Sequence, residues 1–148
     1  MNIVTYDSKA VEVLVIEDNP LDILMIKEAF TDIPVAHNLS VVTDGERAID
    51  FLYHKNELAN ARRPNLILLD LNLPKKDGRE VLATIRSDDS LRAIPVIVIT
   101  TSDLDTNILN AYCCWANCYL IKPIEFDKFV GMIKSVATFW LSVVTLPS

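Results

Sequence analysis

A run of four apolar residues, Leu66–Leu69, ends at Asp70 and limits what this chain can fold into. The run has the length of a strand and is too short for a helix, and Pro64 and Pro74 flank it. A strand that is apolar on both faces belongs inside a parallel sheet covered by helices. Ligands of such sheets bind beyond the carboxyl ends of the strands. Asp70 is therefore predicted to lie where an open α/β sheet does its chemistry.

Strand-like runs alternate with helix-like segments along the chain. The predicted strands are Val11–Ile16, Leu39–Val42, Leu66–Leu69, Pro95–Ile99 and Cys118–Ile121. A helix is predicted after each strand; the first begins at Pro20 with Asn19 as its cap, the fourth is capped by Ser102 or Asp103, and the fifth begins near Glu125. This alternation predicts a three-layer, doubly wound α/β domain. Its five-stranded parallel sheet is expected to have the flavodoxin-like order 2-1-3-4-5.

Length and charge predict one domain without a nucleic-acid or membrane role. The chain has 148 residues, 51% of them hydrophobic, which suits a single domain with one core. Within that domain we expect residues 1–9 to be an N-terminal lead-in, residues 125–144 a long C-terminal helix and residues 145–148 a tail. A net charge of -6 argues against binding nucleic acid, which favours basic surfaces. The absence of a signal-like leader and of a long apolar run favours a cytoplasmic protein.

The cysteines and histidines form no pattern typical of a metal or disulfide site. Cys113, Cys114 and Cys118 are clustered, odd in number and without the second ligand pair of a zinc site, so buried reduced thiols are expected. His37 and His54 are isolated and are expected to be solvated or locally hydrogen-bonded.

Polar residues follow the predicted strands at their carboxyl ends. They are Glu17 and Asp18 after the first strand, Asp70 after the third, Thr100 after the fourth and Lys122 after the fifth. In the expected strand order these groups converge on one cleft. Two carboxylates 4 Å apart repel by roughly 4 kcal/mol at an effective dielectric constant of 20. Three acids with only oxygen ligands therefore predict a hard cation such as Mg²⁺.

Lys122 and Thr100 are expected on the side of Asp70 away from the acidic pair. A metal on one side, an ammonium and a hydroxyl on the other, and a carboxylate nucleophile between them suit a phosphoryl group. Taken singly, each residue is more simply explained as a helix cap or a turn former. It is their occurrence together, at the ends of neighbouring strands, that predicts a phosphoryl-binding site.

These residues resemble the receiver domains of two-component response regulators, and the resemblance covers nearly the whole chain. It implies a CheY-like signalling protein that accepts phosphate from a histidine kinase on Asp70 and assists its own phosphotransfer and dephosphorylation without being an enzyme. It also implies Asp18 as a direct ligand of Mg²⁺ or Mn²⁺, helped by Glu17 and by the main-chain carbonyl of Asn72. Thr100 and Lys122 would hold the phosphoryl oxygens.

The resemblance further implies a conformational switch. Phosphorylation would draw Thr100 inward, Tyr119 would take a more buried rotamer, and the surface of helix four, strand five and helix five would repack. The Lys122-Pro123 bond is expected to be cis, as is usual in receivers. One departure is Trp115, which stands where receivers usually carry a glycine at the end of helix four.

Three stretches resemble the cyanobacterial phytochrome response regulators more closely than receivers in general. They are Asn56–Pro64, Asn117–Tyr119 and the tail Phe139–Pro147. This resemblance implies a phytochrome-type histidine kinase as partner, and a homodimer formed through helix four, strand five and helix five.

Apolar residues are more numerous on the first and last helices than one buried face requires. Leu21 and Leu24 are expected to be covered with the rest of the first helix. The last helix has a predicted core stripe at Phe126, Phe129, Val130, Ile133, Ala137, Trp140 and Leu141. Its second stripe, at Met132, Val136, Phe139 and Val143, predicts the dimer interface. A monomer with a folded-back tail is the alternative, and Lys134 disfavours membrane association.

Three other functions remain as alternatives at this point. A haloacid-dehalogenase-like phosphatase also uses a strand-end aspartate but needs a second carboxylate two residues on, where this chain has Asn72. A flavin-binding module needs a phosphate loop where Glu17 and Asp18 would repel the phosphate. An inactive receiver used as a scaffold would lack Mg²⁺-dependent phosphorylation.

Overall fold

The computed structural model of the protein describes residues 10–54, 62–101 and 116–147. The strands are β1 (Val11–Ile16), β2 (His37–Val42), β3 (Leu66–Asp70), β4 (Val96–Thr100) and β5 (Cys118–Ile121). The helices are α1 (Pro20–Thr31), α2 (Gly45–Leu52), α3 (Gly78–Ser87) and the C-terminal helix (Phe126–Thr138), which continues as a π-helical turn, Phe139–Val143. Each predicted strand is present, and β2 begins two residues earlier than expected.

The five strands form one parallel sheet in the order β2-β1-β3-β4-β5, which confirms the predicted fold class. Side chains alternate between the two faces along each strand, and both faces are covered. In β3, Leu66 and Leu68 face one core cluster while Ile67 and Leu69 face the other. This double burial explains why β3 is a continuous apolar run.

Among the described residues, two helices pack on each face of the sheet. Residues of α2 and α3 pack on one face, and residues of α1 and the C-terminal helix pack together on the other. The core stripe of the C-terminal helix is confirmed at Phe129, Ile133, Ala137 and Leu141, which are buried, and at Val130 and Trp140, which are half-buried.

Three residues predicted to be covered are exposed instead. Leu21 and Leu24 on α1 are 57% and 60% exposed, and Phe126 at the start of the C-terminal helix is 48% exposed. The predictions were wrong because a helix packed on a sheet buries only one stripe, and Met25, Ile26, Ala29 and Phe30 already fill that stripe on α1. These apolar side chains are therefore available at the surface.

Side-chain caps explain where the first three helices begin. Asn19 caps α1 by accepting hydrogen bonds from the backbone of Leu21 and Asp22, and Pro20 occupies the first turn as predicted. Asp44 caps α2 and Asp77 caps α3 in the same way. Because each of these helices comes next in the chain after a strand, its cap helps to fix the connecting loop at the carboxyl end of the sheet.

Several sequence predictions lie outside the described residues. These are the fourth helix with Ser102 and Asp103, the departure at Trp115, and the thiols of Cys113 and Cys114. Cys118 is a free cysteine and is half-buried. His37 is locally bonded as expected, since its Nδ1 lies 2.7 Å from the carbonyl oxygen of Val35. Among the described residues, no helix combines the length and apolar character needed to cross a membrane.

Candidate functional site

The predicted site residues meet at the carboxyl edge of the sheet. Glu17 and Asp18 follow β1, Asp70 and Thr100 end β3 and β4, and Lys122 follows β5. The register places Asp70 opposite Ile99 and Thr100 opposite Ile121, so these strands end at nearly the same level. Residues far apart in the chain therefore form one cluster, as the strand order predicted.

Three carboxylates in this cluster lie close enough together to bind one metal ion. One oxygen from each of Glu17, Asp18 and Asp70 lies within 4.8 Å of the others. Glu17 and Asp70 are buried, at 2% and 6% exposure, while Asp18 is exposed. Carboxylate oxygens without a thiol or imidazole suit a hard divalent cation, and an exposed ligand leaves room for retained water. The donor set therefore fits Mg²⁺ or Mn²⁺.

Lys122 lies among the acids and not beyond Asp70. Its Nζ is 2.8 Å from Glu17 Oε2, 3.1 Å from Asp70 Oδ2 and 2.7 Å from Asp22 Oδ2. The prediction that Lys122 lies away from the acidic pair was wrong, because a buried ammonium needs its three donors satisfied and the acids offer the acceptors.

The Lys122-Pro123 peptide bond is trans, since the described residues contain no cis peptide bond. The cis expectation rested on resemblance alone. The two isomers of a bond before proline differ by only about 0.5 to 1 kcal/mol, so local packing decides between them.

Burial and charge shift two protonation equilibria in this cluster. Burial raises the pKa of the Glu17 carboxyl to about 8, and the neighbouring Asp70 adds to the rise against the lowering effect of Lys122. Burial by itself would lower the pKa of Lys122, but its hydrogen bonds to Asp22 and Glu17 outweigh burial and raise it. The ammonium is therefore held in its charged form.

Asp70 is fixed through both of its carboxylate oxygens. Oδ1 accepts a hydrogen bond of 3.0 Å from the backbone N–H of Asn72, and Oδ2 accepts the bond from Lys122. The side-chain amide of Asn72 donates to Thr100 Oγ1 at 3.3 Å, and Thr100 is only 1% exposed. The hydroxyl and the amide thus lie together on the β4 side of Asp70.

Residues 13–134 match the response regulator receiver domain family. The chain belongs to that family. It is 43% identical over 136 residues to the response regulator Rcp1 of Synechocystis sp., covering 92% of both chains. The solved structure of the phosphorylated cyanobacterial phytochrome response regulator RcpA is 46% identical with a TM-score of 0.91, covering 94% of this chain and 99% of RcpA. The Mn²⁺-bound structure of Rcp1 is 42% identical with a TM-score of 0.91, covering 93% and 99%.

Asp22 is a residue of this receiver's site that the sequence analysis did not assign. Asp22 lies in the first turn of α1, where the helix dipole favours an acid. Its side chain, 14% exposed, forms the shortest of the three contacts to Lys122. Its place in the first turn of α1, just after the loop that carries Glu17 and Asp18 at the carboxyl end of β1, was the available signal.

Tyr119, the predicted switch residue of this receiver, is half-buried in β5 opposite Val98. It packs against the core cluster on the α2 and α3 side of the sheet. The switching role stays a prediction.

The predicted dimer residues form a partly exposed surface. Met132 and Val136 are half-buried, while Phe139 and Val143 are 52% and 69% exposed. Asn117, Cys118, Ser135, Val136, Phe139 and Trp140 line a groove of about 340 Å³ between β5 and the C-terminal helix. Met132 and Val136 also pack against the core cluster on that side of the sheet, and a dimer through this surface stays a prediction.

Proposed function

We propose that this single receiver domain accepts a phosphoryl group on Asp70 from a histidine kinase in a Mg²⁺-dependent reaction. The observation that carries the proposal is the buried Asp70 carboxylate, which contacts an ammonium and a backbone N–H and lies within a cluster of three acids. The protein would act as a phosphorylated signal and not as an enzyme that turns over a substrate.

Asp70 is the nucleophile in this proposal. One of its oxygens forms the new bond to phosphorus while the phosphorus–nitrogen bond of a phosphohistidine breaks, and the imidazole nitrogen keeps the electron pair. The backbone N–H of Asn72 holds the other oxygen and so orients the carboxylate. RcpA has been solved in a phosphorylated form, which supports this chemistry.

Glu17, Asp18, Asp70 and the main-chain carbonyl of Asn72 are the proposed metal ligands. A bound Mg²⁺ or Mn²⁺ supplies positive charge that offsets the repulsion between the carboxylates and the incoming phosphoryl oxygens. The Mn²⁺-bound structure of Rcp1 supports a divalent cation in this family.

Lys122 and Thr100 are proposed to stabilise the phosphoryl group. The Lys122 ammonium already contacts Asp70, so its charge is in place before the group arrives. The Thr100 hydroxyl, bonded to the Asn72 amide, would move to donate to a phosphoryl oxygen. Movement of Thr100 would free space next to β5, where Tyr119 is proposed to respond.

Exposed apolar side chains beside the site favour a protein as the phosphoryl donor. Leu21 and Leu24 flank Asp22 on α1, and Ile124 and Phe126 follow Lys122. Ile124 is fully exposed, at 103%. Exposed apolar side chains on elements that carry site residues are typical of a surface that docks a partner. The similarity to the cyanobacterial phytochrome response regulator RcpA favours a phytochrome-type kinase as this donor.

The proposed output is a change in association through the fourth predicted helix, β5 and the C-terminal helix. Met132, Val136, Phe139 and Val143 would meet the same residues of a second copy. The apolar groove along β5 and the exposure of Phe139 and Val143 support a homodimer there.

Intact mass after incubation with acetyl phosphate tests the acceptor role. We expect wild type to gain one phosphoryl group only with Mg²⁺, and Asp70→Asn to gain none. Asp50→Asn is the matched control, because Asp50 lies on α2 away from the cluster and is expected to leave the gain intact. Absence of the adduct in a folded wild type would refute the proposal and favour a scaffold.

A second experiment separates docking from chemistry. With a phosphorylated cyanobacterial phytochrome kinase as donor, Leu24→Ser should slow phosphotransfer, whereas phosphorylation by acetyl phosphate should not change. Sedimentation of wild type and Phe139→Ser, each with and without acetyl phosphate, tests the dimer surface. Equal dimer fractions in both proteins would contradict that surface.

A further inference from the structure

Asp22 differs from the other two acids that contact Lys122. Glu17 and Asp70 belong to the cluster that can hold a metal, and Asp22 lies outside it. Asp22 is also fixed in place, since its backbone N–H donates to the Asn19 cap in the first turn of α1. Lys122 therefore has one partner on a rigid element that a bound cation would not use.

A cation in the cluster would share Glu17 and Asp70 with the Lys122 ammonium. An ammonium has three N–H donors, and here all three point to carboxylates. The metal ion and the Lys122 ammonium would compete for the same carboxylate oxygens of Glu17 and Asp70. Asp22 offers Lys122 an acceptor that remains after Glu17 and Asp70 turn toward a metal.

We propose that Asp22 is a positioning residue that retains Lys122 at the edge of the cluster, so that Mg²⁺ can bind Glu17 and Asp70 while the ammonium stays beside Asp70. The inference rests on the proposed function, because the retained ammonium matters as the partner of a phosphoryl group on Asp70. Without Asp22, the Lys122 ammonium would have only Glu17 and Asp70 as partners and would compete with the metal for their oxygens.

A double-mutant cycle on Mg²⁺ affinity tests this role. The Mg²⁺ dissociation constant is measured by titration calorimetry for wild type, Asp22→Asn, Lys122→Met and the double variant. Asp22→Asn should weaken binding about fivefold, equivalent to about 1 kcal/mol of coupling. In the Lys122→Met background the same change should have no effect, because no ammonium remains to be positioned.

Glu28→Gln is the matched control, since it removes the same charge from an exposed position on the same helix and should leave the constant unchanged. An equal loss of Mg²⁺ affinity from Asp22→Asn in both backgrounds would overturn the proposal, because Asp22 would then affect the metal through its negative charge and not through Lys122. No loss in the wild-type background would also overturn it. Phosphorylation of wild type, measured by intact mass in parallel, tests the proposed function separately from this cycle.

Discussion

The carbonyl oxygen of Asp70 lies so close to Gly78 that a Cβ atom added to Gly78 would be 2.4 Å from it. The backbone N–H of Gly78 also donates to the carbonyl of Leu71 at 3.0 Å. The start of α3 is thus packed directly against the strand end that carries the proposed phosphoacceptor. Only a residue without a side chain allows this approach.

Substituting Gly78 should therefore be costly. We expect Gly78→Ala to lower the free energy of unfolding by about 3 kcal/mol, because the atoms that a methyl group would meet are backbone atoms that cannot move aside. Gly131→Ala is the control, since nothing lies within 4 Å of its added Cβ, and it should stabilise the helix by about 0.5 to 1 kcal/mol. Urea unfolding measures both, and similar effects from the two would refute the packing argument.

Stability of the metal-free protein should fall as pH rises from about 4.5 to 8. The folded state keeps a proton on Glu17 in this window, because its pKa is raised to about 8, whereas the unfolded state has lost it. One such proton limits the slope to about 1.4 kcal/mol per pH unit. The test is urea unfolding in a metal chelator at several pH values for wild type and Glu17→Gln. The variant should show a shallower dependence, and equal slopes would contradict the assignment.

Replacing the Thr100 hydroxyl should slow phosphorylation without removing the metal site. Thr100→Val keeps the buried shape but removes the proposed donor to a phosphoryl oxygen and the acceptor for the Asn72 amide. We expect the rate with acetyl phosphate to fall about tenfold, since one hydrogen bond to a charged group contributes about 1.5 kcal/mol. Mg²⁺ affinity should persist. Thr101→Val, at the exposed next position, should react like wild type; a normal rate for Thr100→Val would exclude the role.

Arg86 should be important for stability although it lies in the last turn of α3, whereas the first turn of α3 packs against Asp70. Its guanidinium donates to the carbonyls of Arg92 and Ile94, each at 2.9 Å, and to Asn117 Oδ1 at 2.7 Å, which joins α3 to the segments before β4 and β5. Arg86→Met should lower the free energy of unfolding by about 2 kcal/mol.

The control for Arg86 is Arg92→Met. The Arg92 side chain is 63% exposed and pairs with the exposed Asp89, so its loss should change stability by less than about 0.5 kcal/mol. Arg86→Lys should not restore stability, because a single ammonium cannot reproduce the planar fork of three bonds. Recovery by Arg86→Lys in urea unfolding would show that charge alone suffices.

The fold was predictable because its signals are local. The apolar run Leu66–Leu69, the Asn19 cap and the alternation of strands with helices depend on residues close together in the chain, and the structure confirms them. The convergence of Glu17, Asp18, Asp70, Thr100 and Lys122 followed from the strand order. The exposure of Leu21 and Phe126 was missed, since periodicity shows that a helix is apolar but not which stripe the sheet leaves uncovered.

The sequence by itself determined the layered parallel sheet and the identity of the groups at its carboxyl edge, because strand length, caps and terminating residues are encoded locally. Only the tertiary structure decided how Lys122 is shared among Glu17, Asp22 and Asp70, and that Asp22 belongs to the site at all. The reason is physical. A buried ammonium takes the acceptors that packing brings within hydrogen-bond distance, and Asp22 and Lys122 are 100 residues apart in the chain.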